Sequence, residues 1–216
     1  ALALIANPKR SYNSSRRKQQ AELTRQAILE AARHMFEQRG YANTTIEAIG
    51  QKAGVAPETV YAVFGSKPVL LRTVVETTLV GDYESTPFFE RPFIQETLRQ
   101  TNPQLLVQHF AGDMYQIMTR MSPVFSLLRS TAKTDSEIMA LLHKILKNRQ
   151  EGMAVFVNGL QKVTPLRESI SQKQAVDTVF ALSSAEVFDL LTQDMGWSKE
   201  QYIDWLSGTL RRLLLP

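Results

Sequence analysis

The chain has no cysteine among its 216 residues. Disulfides, thiolate metal sites and cysteine nucleophiles are therefore excluded, and the composition fits a reducing cytosol. Only three histidines occur, His34, His109 and His143. They stand far apart, with no His-x-x-x-His or Glu-x-x-His spacing, so no helical ligand pair for a metal is offered. Gly-rich phosphate loops, nucleophile elbows and paired-carboxylate signatures are missing as well. Nothing in the pattern points to an enzyme, a metal or a cofactor. No apolar run reaches the ~18 residues a membrane-spanning helix needs. The opening ALALIANP is apolar but short, with no basic segment before it and no clean cleavage pattern. It reads against a secretory signal and for a cytoplasmic protein. Alternating Val/Ile/Thr/Tyr runs are absent too, which argues against strands.

What remains is a helical pattern with a lopsided charge. The hydrophobic fraction of 44% suits a globular chain with a sizeable core. The net charge of +4 is unevenly spread. Residues 1–75 hold eleven basic and five acidic side chains, and the rest holds fourteen and sixteen. A basic third joined to a slightly acidic remainder suits a polyanion-binding module on a separate body. It also suits a solvated helix face beside a disordered tail.

Residues 1–20 are polar and basic with little periodicity, and read as a flexible arm. From Leu23 the pattern turns helical. Leu23, Ala27, Ile28, Ala31, Ala32, Met35 and Phe36 recur at helical spacing, and Gly40 closes the segment. Further on, Asn102-Pro103, Ser122-Pro123 and Thr164-Pro165 each place a capping side chain before a proline, the order expected at a helix start. Thr134 with Glu137, Ser171 with Gln174 and Ser198 with Gln201 add capping-box spacings. The whole chain reads as all-α, with roughly nine helices whose ends are uncertain by about 2–4 residues.

The segment TTIEAIGQKAGVAPETVYAVFGSK, from Thr44 to Lys67, carries the strongest signal. Thr44 suits an N-cap, with Glu47 at the capping-box position. Ile46, Ile49 and Ala53 share one helical face. Gly54 suits a sharp left-handed turn. Pro57 suits the first position of a second helix, where its missing N–H costs nothing. Val60 and Phe64, four apart, form the inward stripe of that helix. This is the spacing of a helix-turn-helix, which places its second helix in the major groove of double-stranded DNA. Ala56, Pro57, Glu58 and Thr59 make up its exposed leading end. Thr59 suits a base edge or a thymine methyl; Glu58, which phosphate would repel, suits a cytosine amine or only the helix dipole. Tyr61 suits a phosphate, as does Lys67 at the start of the next helix, and Thr44 or Thr45 suits one at the previous start. The basic arm, Lys9, Arg10, Arg16, Arg17 and Lys18, suits phosphate or minor-groove contacts.

Residues 24–71 resemble the N-terminal domain of the tetracycline-repressor (TetR/AcrR) family of bacterial transcription regulators. Ile28, Ala31-Ala32, Phe36, Gly40-Tyr41, Thr44-Thr45, Ile49, Ala53-Gly54-Val55, Thr59-Val60-Tyr61, Phe64 and Ser66-Lys67 carry the likeness. The C-terminal stretch 185–215 resembles the end of many members, while residues 80–165 resemble nothing nameable. Two departures stand out. Many members carry tyrosine and histidine where this chain has Ala62 and Val63, and serine where it has Ala56. Fewer polar groups are then left on the recognition helix, with Thr59, Tyr61 and Lys67 carrying more of the binding. The resemblance implies residues 21–66 as the DNA-binding domain and 67–216 as an effector-binding and dimerisation domain. It implies a repressor that binds a palindromic operator as a homodimer and is released by a small apolar or amphipathic effector.

A dimer surface is expected in the last two long helices. Val176, Val179, Phe180, Ser183, Val187, Leu190 and Leu191 form one stripe, and Tyr202, Trp205, Leu206, Thr209, Leu210 and Leu213 the other. They would build a four-helix interface between copies, or else pack inside one subunit. Phe110, Met114, Met118, Met121, Phe125, Met153 and Phe156 suit an adaptable effector pocket and equally an ordinary core. His109, Asp113, Tyr115, Arg129, His143 and Asn158 are its possible polar partners.

Overall fold

The computed structural model describes residues 9–84 and 86–216, with side chains from Ser15 onward. Among the described residues it holds ten α-helices and no strand. They fall into two compact units, Ala1–Val74 and Val75–Pro216. The division lies within α4 (Lys67–Val80).

The first unit contains α1 (Lys9–Arg39), α2 (Ile46–Ala53) and α3 (Pro57–Phe64). Residues 9–20, read above as part of a flexible arm, instead continue α1. The stretch after Pro8 has no glycine or proline and is rich in Arg, Lys and Gln, all good helix formers. Residues 1–8 lie outside the described residues. The buried face of α1 is Ile28, Leu29, Ala31, Ala32, Met35 and Phe36. Leu23, expected on that stripe, is 54% exposed.

The corner between α1 and α2 corrects the expected cap. Thr44 is fully buried. Its hydroxyl donates to the Gly40 carbonyl at 2.8 Å, and the Met35 carbonyl lies 3.2 Å away. The N-cap of α2 is Thr45, whose Oγ1 accepts from the Ala48 N–H at 3.2 Å. Thr44 is thus spent on closing the end of α1, one residue before the true cap. The turn between α2 and α3 is a Schellman closure. Gly54 is left-handed, at φ 71° and ψ 29°, and its N–H reaches the Gln51 carbonyl, while Val55 N–H reaches that of Gly50 at 2.9 Å.

The second unit is arranged around one long helix, α6 (Pro103–Thr131). Packed on it are α5 (Pro92–Leu98), α7 (Ser136–Gln161), α9 (Ala185–Asp189) and α10 (Lys199–Leu214), and α8 (Gln172–Leu182) packs on α7. Asn102 caps α6 as expected, accepting from Gln104 and Leu105 N–H. Both capping boxes of α8 and α10, Ser171 with Gln174 and Ser198 with Gln201, are formed.

Three other expected starts are not starts. Pro123 lies inside α6, flanked by buried Met121, Ser122, Val124 and Phe125. Burial of that face outweighs the roughly 3 kcal/mol an interior proline costs. Thr164-Pro165 sits in the loop before α8, whose cap is Ser171. Asp135 rather than Thr134 caps α7, because its carboxylate accepts from both Glu137 and Ile138 N–H. The long helix expected around residues 176–191 is broken at Ser183-Ser184. Ser184 caps α9, and a single π-helical turn, Leu190–Asp194, follows.

Candidate nucleic-acid interface and helical body

Helix α3 is built with a buried back and an open front. Val60 is fully buried and Phe64 is 5% exposed. Gly50 of α2 makes the approach of α3 possible. A β-carbon there would meet the Val55 carbonyl oxygen at 3.0 Å and the Pro57 nitrogen at 3.4 Å. The sequence reading missed Gly50; its only signal was a glycine inside a helical pattern, on the face of Ile46 and Ile49.

On the front, Ala56, Glu58, Tyr61, Ala62 and Val63 are exposed, and Pro57 and Thr59 are half-buried. Pro57 occupies the first turn as expected, and Ala56 supplies no side-chain cap. The N–H groups that lead the helix therefore have no side chain of Ala56 competing for them. Tyr61 stands 49% exposed.

Two flanking helix starts border this face. At α2, Thr45 is exposed and Thr44 is not, so Thr44 is withdrawn as a DNA contact. At α4, Lys67 places its ammonium 4.1 Å from the centroid of the Tyr41 ring. That contact orders an otherwise flexible cation. Behind α3, the Arg25 guanidinium lies 4.7 Å from the Phe64 ring centroid. Of the basic arm, Arg16, Arg17 and Lys18 are exposed on α1. The side chains of Lys9 and Arg10 lie outside the described residues.

The second unit sorts the remaining candidates by burial. Of the expected dimer residues, Val179, Tyr202, Leu206 and Leu210 are fully buried and Leu191 is 7% exposed. These five pack inside the subunit, α10 against α6 above all. Periodicity marks a face that is buried and cannot distinguish burial by the chain from burial by a second copy. Phe180, Val187 and Trp205 keep partial exposure. Leu190 at 51%, Met195 at 58% and Leu213 at 43% are the more exposed apolar groups in this part of the chain.

The seven Met and Phe residues proposed for a pocket are all buried. Phe110 of α6 and Phe156 of α7 stack with centroids 3.8 Å apart. A surface cavity of about 570 Å³ lies elsewhere, lined by Arg167, Ile170, Gln174, Asp177, Arg212 and Leu213 among others, and none of the seven borders it. Among the described residues no three His, Asp or Glu side chains gather as a metal site, and no helix is long and apolar enough to cross a membrane.

Two ionisable groups in this unit depart from their usual range through burial. Asp113 accepts from the Thr97 hydroxyl at 2.6 Å, which lowers its pKa, but burial is the larger effect and pushes it up to about 6. Arg149 of α7 is brought down to about 10 by burial.

A buried-backed, open-fronted second helix behind a glycine turn, set on a separate helical unit, defines a helix-turn-helix DNA-binding protein. Residues 28–74 match the model of the bacterial regulatory proteins of the tetR family. That match covers the helix-turn-helix unit, and the proteins that share it are transcription regulators, not enzymes. The chain is 25% identical over 181 residues to the HTH-type transcriptional repressor BepR of Brucella suis biovar 1 (strain 1330), covering 82% of this chain and 83% of that one. Its fold resembles NalD, the secondary repressor of the MexAB-OprM multidrug efflux pump in Pseudomonas aeruginosa, with a TM-score of 0.68 at 19% identity, over 90% of this chain and 98% of that one. SmeT in its complex with triclosan is similar to the same degree, with a TM-score of 0.68 at 19% identity over 89% and 92% of the two chains.

Proposed function

We propose that the protein represses transcription as a homodimer on a palindromic operator and leaves it when a small apolar or amphipathic effector binds residues 67–216. The observation that carries this reading is the face of α3. Val60 and Phe64 hold its back, while Thr59 and Tyr61 stand at its front. Thr45 and Lys67 border it at two helix starts. Thr59 reads a base; Tyr61, Thr45 and Lys67 hold phosphates. Two such units one helical turn apart, about 34 Å, would read the two half-sites. Partly exposed Phe180, Val187 and Trp205, with exposed Leu190 and Leu213, supply the apolar surface for a second copy. The likeness to SmeT, solved with triclosan, supports an effector of small-molecule size.

Selection from random duplexes at moderate salt tests the reading. A palindromic sequence should be enriched. Tyr61→Phe should weaken binding to every site by about 3–10-fold without changing sequence preference, and Thr59→Ala should relax one base position. Binding that follows ionic strength alone, with no enriched sequence, would remove the basis of the proposal.

A further inference from the structure

The first unit begins in a charged rod that is exposed on every side. Nine consecutive residues of α1, from Ser15 to Leu23, are exposed. Successive helical residues step round the axis by about 100°, so such a run samples every face. The buried face of α1 starts only at Ile28. Between Lys9 and Ala21 the sequence has five basic and no acidic side chains. Arg16, Arg17 and Lys18 are among the exposed residues, and the first turn of α1 contains no acidic group. Cations near a helix N-terminus oppose the helix dipole, and a helix end without packing is marginal by itself. A polyanion alongside would offset the mutual repulsion of these cations and their conflict with the dipole.

The rod leaves the unit beside the helix assigned to the major groove. Arg25, about two turns on from Lys18, sets its guanidinium 4.7 Å from the ring centroid of Phe64, the last residue of α3. Tyr61, one turn back on α3, is exposed on the face assigned to DNA. From Arg25 back to Arg16 the helix runs on for about 10–14 Å. Its shape limits what it can touch. An α-helix with its side chains is about 10–12 Å across, whereas the minor groove is about 6 Å wide. A flexible arm fits that groove and a helical one does not. The major groove of the half-site is taken by α3. The phosphate ridge beside that groove is what remains.

We infer that Arg16, Arg17 and Lys18 form a helical clamp on the sugar–phosphate backbone of double-stranded DNA, beside the half-site read by α3. The clamp adds about two or three phosphate contacts per subunit and no base readout. This rests on the DNA-binding reading above and decides between phosphate and minor groove, which the basic sequence alone leaves open.

The test uses the full chain and the duplex enriched by the selection described above. A triple variant, Arg16→Gln with Arg17→Gln and Lys18→Gln, should bind that duplex roughly tenfold or more weakly at moderate salt. The slope of log affinity against log salt should shrink by about two to three per subunit. Ethylation interference should lose the same number of phosphates, while those assigned to Tyr61 and Lys67, and the enriched sequence itself, stay as in the parent. Gln20→Pro keeps every charge but breaks the helix between the cations and the rest of α1. It should lose most of the same affinity. Both variants should melt with the parent, because every substituted residue is exposed. An unchanged salt slope in the triple variant overturns the inference. So does a Gln20→Pro variant that binds like the parent, since a flexible arm would then suffice. An A·T preference outside the half-site that the triple variant loses would put the arm in the minor groove and overturns it too. In all three cases the operator is still bound and the DNA-binding reading stands. If the selection enriches no sequence, that reading falls and the clamp falls with it.

Discussion

The two units treat their buried polar groups in opposite ways. In the helix-turn-helix unit the groups at each corner are closed by the chain itself. Thr44 meets two carbonyls, Thr45 takes the Ala48 N–H, and the N–H groups of Gly54 and Val55 return to α2. In the helical body, Thr78 Oγ1, Arg91 Nε, Arg149 Nε and Tyr202 Oη are buried without partners. All four of the unpartnered buried side-chain atoms among the described residues lie in Val75–Pro216. A part that must present one rigid face gains from having every donor committed internally. A part that receives a guest gains from donors left open. If that contrast is right, damage in the first unit should come from steric and hydrogen-bond loss, whereas removing polarity from the second should cost little or even stabilise.

The largest effect is expected at Gly50. A valine there would press its β-carbon against the Val55 carbonyl and the start of α3, and both are backbone, which cannot rotate away. Gly50→Val should destabilise the first unit by about 2–4 kcal/mol and abolish specific DNA binding. Thermal unfolding and operator retention would show it. A variant that melts like the parent would mean that the two helices can separate without harm.

Next comes the pair at the α2 start. Thr44→Val keeps the shape but strips the buried hydroxyl from the Met35 and Gly40 carbonyls, which should cost about 1–3 kcal/mol. Thr45→Ala removes one exposed cap, worth about 1 kcal/mol, together with any phosphate contact Thr45 makes. The order of the melting temperatures should therefore be Thr44→Val below Thr45→Ala. DNA affinity measured well below both melting points should fall for Thr45→Ala and hold for Thr44→Val. The reverse pattern would break the assignment of buried and exposed threonines.

That pair also shows how far sequence reasoning reaches. Thr44 and Thr45 are identical in type and adjacent, so periodicity could place a cap there but not say which threonine turned inward. Tertiary closure of α1 decided it. The turn was legible because Gly54 and Pro57 have conformational demands of their own, independent of the rest of the fold. Pro123 and Thr164-Pro165 carried the same local signal and were overridden by burial in one case and by a loop in the other. The dimer stripe failed differently. Val179, Leu206 and Leu210 were correctly read as apolar faces, but the face they meet is α6 and α7 of the same chain. Arg149 escaped notice because an arginine on a helix is usually solvated, and no pattern in the sequence marks a guanidinium that turns inward onto the Phe180 carbonyl and Ser183.

The smallest predicted effect tests the body's side of the contrast through pH. The Asp113 carboxyl titrates at about 6 in the folded chain against 3.8 for an ordinary aspartate, chiefly because burial disfavours its charge, with Thr97 and His109 opposing and Glu96 adding to the rise. Below about pH 4 the group is protonated whether or not the chain is folded, so it costs nothing. Between about pH 4 and 6 the folded chain retains a proton that the unfolded chain has released. Stability from this group therefore falls as pH rises through that window and is flat above it. Asp113→Asn removes the charge and keeps an acceptor for the Thr97 hydroxyl. It should leave stability unchanged near pH 4 and raise it near pH 7, by about 1 kcal/mol once partial exposure is discounted. Denaturant unfolding of variant and parent at the two pH values gives the difference directly. A gain of equal size at both would mean that packing, not charge, sets the effect, and a loss at pH 7 would mean that the ionised Asp113 has a favourable partner in the body after all.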